Sequence, residues 1–228
     1  MSKYRHEYKY LIDPRQEALL KLRAAAVLRP DPHAGPGGAY LIRSLYFDDA
    51  ENSCLTENLN GTDPRSKFRI RYYNRDTDRI RLEKKSKRRG MCLKESCVLT
   101  REECEVFLRG GIPSFRDSDP EEKKRFLTEI RLRGLQPVVI VTYERIPFIY
   151  RGGNVRITFD RKLSSSGEIS RFLTGDYGRR PVWPAGQSLM EVKWDELLPR
   201  HIRDVLQTDS LTWTAFSKYG ACRRFTLP

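Results

Sequence analysis

Short segments in which polar and apolar residues alternate recur along the chain. This pattern is typical of β-strands that have one polar and one apolar face. Residues 161–187 show no such period and are rich in turn-forming residues, so we expect an irregular segment there. We predict eight strands, at residues 3–12, 40–47, 66–73, 78–86, 91–98, 137–146, 154–160 and 188–194.

Helices are predicted where apolar residues return every three to four positions behind a capping residue. Ser, Thr, Asp and Asn cap a helix because their side-chain oxygens accept hydrogen bonds from the first free backbone N–H groups. The predicted helices are one after Pro14, one capped by Asp48 and Asp49, one opened by the Thr100–Glu103 capping box, one opened by Asp119 and Pro120, and helical stretches in the last forty residues.

The order of these elements favours an antiparallel architecture. A parallel sheet needs a regular alternation of strands and helices, and this chain instead has runs of consecutive strands. Its 228 residues contain no repeat of fixed period and no linker long enough to separate two domains. We therefore predict a single domain over residues 1–228, of the α+β class, with an antiparallel sheet or barrel and helices packed on its outside.

The polar faces of the predicted strands are unusually rich in positive charge. They carry thirteen basic and four acidic residues, whereas the whole chain has 43 basic and 30 acidic residues and a net charge of +13. Like charges on neighbouring strands repel each other, so a solvated face normally mixes both signs. The enrichment therefore indicates a polyanionic partner that offsets the repulsion.

Two arrangements of the charged faces fit this pattern. The helices can cover the apolar faces from outside, so that the charged faces surround a tunnel, or an open basic sheet can bind nucleic acid. Proteins that bind single strands place aromatic residues among the basic ones. Most aromatic strand residues here, such as Tyr8, Phe68 and Tyr72, lie on the opposite face. We therefore expect a tunnel for a phosphate-rich ligand and no specific nucleic acid.

Other features exclude several classes of protein. No apolar run approaches the ~20 residues that span a bilayer, and the charged first residues do not resemble a secretory signal. The five cysteines form no CxxC pair, and the three histidines have no metal-binding spacing. These features are typical of reduced thiols in the cytoplasm, so we expect a soluble, cytoplasmic protein.

Eight short motifs follow one another along almost the whole chain: EYKY (7–10), RIRYY (69–73), EKK (83–85), KE (94–95), YER (143–145), VRITFD (155–160), EVK (191–193) and FSKY (216–219). Each motif is weak alone, but eight in order are specific. In this order they resemble the VTC domain, the polyphosphate polymerase domain of the vacuolar transporter chaperone family. That family is a branch of the CYTH-like superfamily of triphosphate tunnel metalloenzymes.

The resemblance implies an antiparallel closed β-barrel with a basic tunnel, helices outside and a C-terminal helix at the tunnel. It also implies a phosphotransferase that uses Mn²⁺ or Mg²⁺ and moves the terminal phosphoryl group of ATP onto polyphosphate. The residues implied as catalytic are Lys9, Arg69, Arg71, Lys85, Arg145 and Arg156. Those implied in substrate binding are Lys94, Tyr143, Lys193, Ser217 and Lys218. The implied metal ligand is Glu191, while Glu7 and Glu83 are either further ligands or partners of neighbouring basic side chains.

Departures from the family pattern keep alternatives open. Hydrolytic members of the superfamily begin with an ExExK strand, and Arg5 stands at the place of its first glutamate, which favours transfer over attack by water. Ala215 stands where the family has a lysine before FSK. The basic run 87–89 is predicted as a solvated loop, with guidance of an exiting polyanion as the alternative. The alternatives are an inorganic triphosphatase or polyphosphatase in the same tunnel and a non-catalytic binder of polyphosphate or RNA. The oligomeric state is left open.

Overall fold

The structure is a computed structural model, and it describes residues 4–226. It confirms the α+β class. In chain order the elements are β1 (His6–Ile12), α1 (Pro14–Val27), β2 (Arg29–Pro30), β3 (Tyr40–Asp48), α2 (Ser53–Leu59), β4 (Arg65–Tyr73), β5 (Asp76–Arg88), β6 (Met91–Leu99), α3 (Arg101–Leu108), α4 (Glu121–Leu132), β7 (Gln136–Tyr150), β8 (Val155–Ser166), β9 (Arg180–Pro181), β10 (Ser188–Trp194), α5 (Arg200–Leu206) and α6 (Lys218–Arg223).

Eight of the strands form one curled antiparallel sheet in the order β1-β10-β8-β7-β3-β4-β5-β6. The two-residue strands β2 and β9 pair with β7 and β8. The ends of the sheet meet where Arg5 and Cys92 exchange two backbone hydrogen bonds of 3.0 and 3.1 Å. The predicted antiparallel barrel is therefore confirmed, and its ring is closed by this bridge between the segment before β1 and strand β6.

A first apolar cluster covers the outer face of β3, β4, β5 and β7. Phe68 on β4 meets Phe126 on α4 edge to face, with ring centroids 5.5 Å apart, and Phe47 on β3 meets Phe107 on α3 at 5.1 Å. All four rings are buried. Removing one such ring costs about 3–5 kcal/mol, so this cluster fixes α3 and α4 to the outside of the barrel.

A second apolar cluster covers the outer face of β1, β8 and β10. Ile157 and Phe159 on β8 and Val192 on β10 are buried there together with Leu20 on α1 and Ile202 on α5. Helix α1 begins at a capping box in which Asp13 and Gln16 exchange hydrogen bonds, as its sequence favours. Both clusters lie between the sheet and the helices, so the barrel interior is left to the other face of each strand.

The charged faces predicted from the sequence point into the barrel. Cross-strand partners share a face of a sheet, and the inward rows can be followed from strand to strand. Lys67 on β4 is opposite Lys85 on β5, which is opposite Lys94 on β6. Glu7 on β1 is opposite Lys193 on β10. This is the tunnel arrangement, not the open basic sheet.

Two predictions about irregular and helical segments were wrong. Strand β8 continues to Ser166, where we expected an irregular segment from residue 161. Residues 211–217, expected to be helical, are extended, and α6 starts only at Lys218. The reason is tertiary: the N–H of Thr214 donates to the carbonyl of Lys9 at 2.9 Å and Trp213 forms a β-bridge with Tyr10, so this segment pairs with β1 beyond the Arg5–Cys92 bridge.

Asp48 connects two helices at the end of β3. Its carboxylate accepts hydrogen bonds from the N–H groups of Cys54 (2.8 Å) and Leu55 (3.1 Å) at the start of α2. Asp49 accepts from the N–H of Ser53, so the predicted capping role of both aspartates is confirmed. The hydroxyl of Tyr219 on α6 also donates to Asp48. This shared carboxylate fixes α6 beside α2 at one end of the barrel.

Candidate active site

The inner faces of the strands and residues 213–219 enclose a cavity of about 140 Å³. Among the residues that the structure describes, its lining is strongly positive, because ten basic side chains face it and two acidic ones, Glu7 and Glu191, do so. The basic side chains come from β1, β4, β5, β7, β10 and α6. They are Lys9, Arg65, Lys67, Arg69, Arg71, Lys85, Lys87, Arg145, Lys193 and Lys218.

Arg71 is held in place by neutral hydrogen-bond partners. Its Nε donates to Ser44 Oγ on β3 at 3.1 Å, and its Nη2 donates to the Tyr143 hydroxyl on β7 at 3.2 Å. The side chain is buried. Its closest carboxylate, on Glu83, is 3.7 Å away, beyond hydrogen-bond distance, so the charge of Arg71 can still attract an anion in the cavity.

Glu83 on β5 is directly opposite Arg69 on the inward face of the sheet and balances the basic residues of β4. Its side chain is 1% exposed, and it accepts from Arg69 Nε at 2.7 Å and from Lys94 Nζ at 3.1 Å. Arg69 Nη1 also donates to the Tyr46 hydroxyl at 2.9 Å. Burial alone would raise the pKa of Glu83, but the attraction of Arg69, Arg71 and Lys94 outweighs burial and holds its pKa far below the usual range. Glu83 is therefore an ionised structural carboxylate.

We expect Glu83→Gln to lower the free energy of unfolding at pH 7 by about 3–5 kcal/mol, because it leaves Arg69 and Lys94 without their buried counterion. The folded pKa of Glu83 is depressed, so its stabilising effect is full above the unfolded pKa of 4.5 and is lost as the pH falls toward the folded pKa. The difference in the free energy of unfolding between the variant and the unchanged protein should therefore become smaller below about pH 4.5. Denaturant unfolding at several pH values measures it, and a constant difference would contradict the ion-pair role.

Glu191 lines the cavity and contacts three basic side chains. Its carboxylate is 2.6 Å from Lys218 Nζ, 2.8 Å from Lys193 Nζ and 3.3 Å from Arg145 Nη2. Burial by itself would raise the pKa of Glu191, but these cations outweigh it and hold the pKa well below the usual range. Asp160 supports the cluster from β8, since it accepts from Arg145 Nε and Lys218 Nζ, both at 2.6 Å.

Glu7 gathers a second group of lysines on β1, β5 and β10. Its carboxylate is 2.8 Å from Lys85 Nζ, 3.0 Å from Lys9 Nζ and 3.6 Å from Lys193 Nζ. Burial would raise the pKa of Glu7, but the three lysines together hold it well below the usual range. Lys193 therefore lies between Glu7 and Glu191 and joins the two groups.

The C-terminal segment delivers Lys218 into the barrel. Lys9 Nζ donates to the carbonyl of Phe216 at 2.9 Å, and Ser217 caps α6 by accepting from the N–H of Gly220 at 3.2 Å. Lys218 then projects over the ring of Tyr143, 5.0 Å from its centroid. The predicted helix at the tunnel is thus confirmed, although it is only six residues long.

Most of the residues that the sequence singled out lie together. The cavity is lined by predicted catalytic, binding and metal residues alike: Lys9, Arg69, Arg71, Lys85, Arg145, Tyr143, Lys193, Ser217, Lys218, Glu7 and Glu191. Three others, Arg156, Lys94 and Glu83, are not among its lining residues. The functional roles of all fourteen stay predictions.

Arg156 and Lys94 are engaged elsewhere. Arg156 Nη2 donates to Asp31 and to the Tyr40 hydroxyl, both at 2.7 Å. Asp31 belongs to the loop after β2, and sequence reasoning did not foresee its carboxylate there. Lys94 is 52% exposed and pairs with Glu83. Both lie in inward-facing rows of the sheet, opposite Lys193 and Lys85, but their charged groups are neutralised outside the cavity.

Three lining cations were missing from the predicted site. Lys67 falls in the predicted strand 66–73 but was given no role, Lys87 had been predicted in a solvated loop, and Arg65 precedes the predicted strand. In the structure, Arg65 and Lys67 continue the Arg69–Arg71 series at spacing two along β4, and Lys87 continues from Lys85 along β5. The alternation of side chains along a strand would have found these residues if the predicted strands had been extended by one or two residues at their ends.

The carboxylates of the cavity suit a hard divalent cation only in combination with a ligand. Mg²⁺ and related ions take one or two protein carboxylates and complete their shell with substrate phosphates and water. Glu191 and Glu7 provide such a pair on neighbouring strands, facing the same space. Within residues 4–226, no group of three or more His, Cys, Asp or Glu side chains is placed to hold a metal ion. The donor set therefore fits a metal that shares its shell with bound phosphate.

Comparisons with known proteins agree with this geometry. The family model of the VTC domain matches residues 4–227. The structure is similar to a putative adenylate cyclase from Bacillus halodurans, at 17% identity and a TM-score of 0.53, with 93% of each chain covered. It is also similar to a putative adenylyl cyclase from Hippeastrum, described as having a dominant triphosphatase activity, at 14% identity and a TM-score of 0.55, with 100% of this chain and 98% of that chain covered.

These structural likenesses are at low identity, and they show the shared fold. No functionally curated protein matches the chain. In the part of the chain that the structure describes, no helix has the length and apolar character needed to cross a membrane.

Proposed function

We propose that this chain, which belongs to the VTC domain family, is a metal-dependent polyphosphate polymerase that transfers the γ-phosphoryl group of ATP to the end of an inorganic polyphosphate chain. The observation that carries the proposal is the convergence of ten basic side chains, from six different elements, on one cavity with two carboxylates. A cavity of this charge binds a chain of phosphates and disfavours neutral ligands.

Phosphoryl transfer suits such a site because it needs alignment and charge neutralisation more than covalent help. Arg71, Arg69 and Arg145 approach from two strands, and each is oriented by at least two hydrogen bonds. These guanidinium groups are positioned before the substrate arrives, so they stabilise the charge of the transferring group without reorganising. Bidentate contacts of arginine to phosphate oxygens fix donor and acceptor in line.

A divalent cation, Mn²⁺ or Mg²⁺, would be held by Glu191, with Glu7 next to it, and would neutralise phosphate charge. The lysines that contact these carboxylates have a second role. When phosphates enter, Lys218, Lys193 and Lys85 can move their hydrogen bonds to phosphate oxygens, which frees carboxylate oxygens for the metal.

The acidic residues favour transfer over hydrolysis. Attack by water needs a carboxylate or a second metal to activate it. Arg5, at the place of a glutamate in hydrolytic members of the superfamily, points to Asp195, with Nε 2.7 Å from the carboxylate, and does not line the cavity. Glu191 and Glu7 are assigned to the metal, and Glu83 and Asp160 stay in ion pairs with basic side chains. A phosphate chain is therefore the favoured acceptor.

Incubation of the purified protein with ATP and Mn²⁺ tests the proposal. We expect a phosphate polymer that grows with time, detected on gels and destroyed by a polyphosphatase. Release of orthophosphate without polymer would instead support the triphosphatase that the Hippeastrum protein suggests. Absence of both products would favour a protein that only binds polyphosphate.

Tripolyphosphate should stabilise the fold strongly. A ligand present at a hundred times its Kd adds about 2.7 kcal/mol if only the native state binds it, which raises the Tm of a domain of this size by roughly 5–10 °C. Thermal unfolding with and without the ligand measures this. Sodium sulfate at equal ionic strength is the control, and equal shifts with both salts would contradict a specific phosphate cavity.

A further inference from the structure

The cations of the cavity fall into two groups that differ in their counterions. Lys9, Arg69, Arg71, Lys85, Arg145, Lys193 and Lys218 each lie within 4.0 Å of a carboxylate. Among residues 4–226, no carboxylate lies within that distance of the other three, Arg65, Lys67 and Lys87. We call these three side chains the carboxylate-free group. An anion can bind them without breaking an existing ion pair.

The carboxylate-free group lies at one end of the cavity. Arg65 on β4 is directly opposite Lys87 on β5, and Lys67 is opposite Lys85, one inward position further along. This end is bounded by Gly90 and Cys92 in and after the β5–β6 turn. The three side chains are half-buried, whereas the side chains of the turn itself are exposed. The group therefore forms the mouth of the cavity between β4 and β5.

The local contacts hold these cations without neutralising them. Arg65 donates to the carbonyl of Thr62, and Lys67 Nζ donates to Ser217 Oγ at 3.3 Å. Lys67 Nζ also lies 5.6 Å from the centroid of the Tyr219 ring and 6.0 Å from that of Tyr46, within the range of a cation–π contact. The acidic residue of the neighbouring loop, Asp63, accepts from the N–H of Gly90 instead.

This arrangement is electrostatically unfavourable without a ligand. Like charges on directly opposed strand positions destabilise a sheet, and Arg65 and Lys87 are such a pair. Burial and the nearby charges of Lys85, Lys9 and Arg69 lower the pKa of Lys67 well below its usual range. A bound polyanion would remove both penalties. Opposed like charges also occur among the deeper cations, for example Lys193 and Arg156, but those cations have Glu7, Glu83, Glu191, Asp160 or Asp31 as counterions.

We propose that Arg65, Lys67 and Lys87 form a separate subsite that binds the polyphosphate chain beyond the phosphates that react. The proposal rests on the function proposed above and adds two things to it: the end of the cavity through which the polymer passes, and the residues that distinguish a long chain from a short one. Tripolyphosphate would occupy the deeper, carboxylate-balanced part, and only a longer chain would reach the mouth.

The double variant Arg65→Gln/Lys87→Gln tests the subsite. Its affinity for long-chain polyphosphate should fall about tenfold or more, because two charge-assisted hydrogen bonds are lost. Its affinity for tripolyphosphate should change less than twofold. Titration calorimetry with both ligands, repeated at two salt concentrations, measures this. The salt dependence of long-chain binding should also become weaker, because fewer counterions are exchanged. The Tm without ligand should stay the same or rise, which shows that the variant folds.

The matched control is Arg88→Gln/Arg89→Gln. It removes the same charge from the same β5–β6 region, but these side chains are exposed and do not line the cavity. We expect it to bind both ligands like the unchanged protein. Equal losses in the two double variants would mean that only the overall charge matters, and equal losses for both ligands would place Arg65 and Lys87 at the reacting phosphates. Either result would overturn the subsite. Failure of the unchanged protein to bind tripolyphosphate would instead overturn the proposed function.

Discussion

Arg71→Ala is expected to reduce the rate of phosphoryl transfer by about 10²–10³-fold, the loss typical of removing one preorganised donor to a developing negative charge. Arg71 is fixed by Ser44 and Tyr143, and its charge faces the cavity. Its closest carboxylate, on Glu83, is 3.7 Å away and keeps Arg69 and Lys94 as partners. Steady-state rates of polymer formation from ATP and Mn²⁺ measure the effect.

The same substitution should leave the protein folded, with a Tm close to that of the unchanged protein. Loss of two neutral hydrogen bonds and of the 3.7 Å contact with Glu83 is offset in part by relief of repulsion between Arg71 and its neighbour Arg69. Arg81→Ala is the control, because Arg81 is opposite Arg71 in the sheet but is exposed and does not line the cavity. A large drop in Tm for Arg71→Ala would show that this arginine is structural. Equal activity loss in both variants would contradict its contact with substrate.

Glu191→Gln is expected to change catalysis and metal-free binding in opposite directions. Loss of the carboxylate removes the main metal ligand, so the metal-dependent rate should fall by about 10²-fold or more. It also leaves Lys193, Lys218 and Arg145 with one fewer counterion, so tripolyphosphate should bind about tenfold more tightly in the presence of EDTA. Activity assays and titration calorimetry measure the two effects separately.

The unliganded Glu191→Gln protein should also be less stable, since removing one partner of a buried ion pair costs about 3–5 kcal/mol. Asp160 still contacts Lys218 and Arg145, so the lower end of this range applies. Tripolyphosphate should raise the Tm of this variant back toward that of the unchanged protein. Glu144→Gln is the control, because Glu144 is next to Arg145 in sequence but pairs with Arg161 and Lys162 on the other face. Weaker binding of tripolyphosphate to Glu191→Gln in EDTA would contradict the role of Glu191 as a counterion of the cavity cations.

The strands were predictable because each of them has one apolar and one polar face. Residues 188–194 were predicted as a strand with the observed ends, and β4 and β6 differ from prediction by one residue at one end. The prediction of a helix in the C-terminal segment was wrong, and the reason lies outside the segment. Residues 211–217 contain no breaker of helical structure, and they are extended because Thr214 and Trp213 pair with β1, almost the whole chain away. Local propensity carries no information about such a partner.

The charged interior was also predictable, since strand alternation places charged side chains together on one face. The ion-pair partner of each charged side chain was not predictable. Arg156 lies on the inward face as expected, yet its charge is taken by Asp31 from a loop. Lys87 was assigned to a loop because strand ends are the least reliable part of a sequence-based prediction, and β5 extends to Arg88. Which cation remains free for a ligand depends on such long-range pairs.

The two apolar clusters lie between the sheet and the helices and leave the middle of the barrel to charged groups. In most globular proteins the apolar core lies at the centre and occupies space that a binding site would need. Here the two demands are met in separate layers. Substitutions in the inner layer can therefore change which substrate binds. The outer layer meanwhile continues to hold the sheet and the helices together.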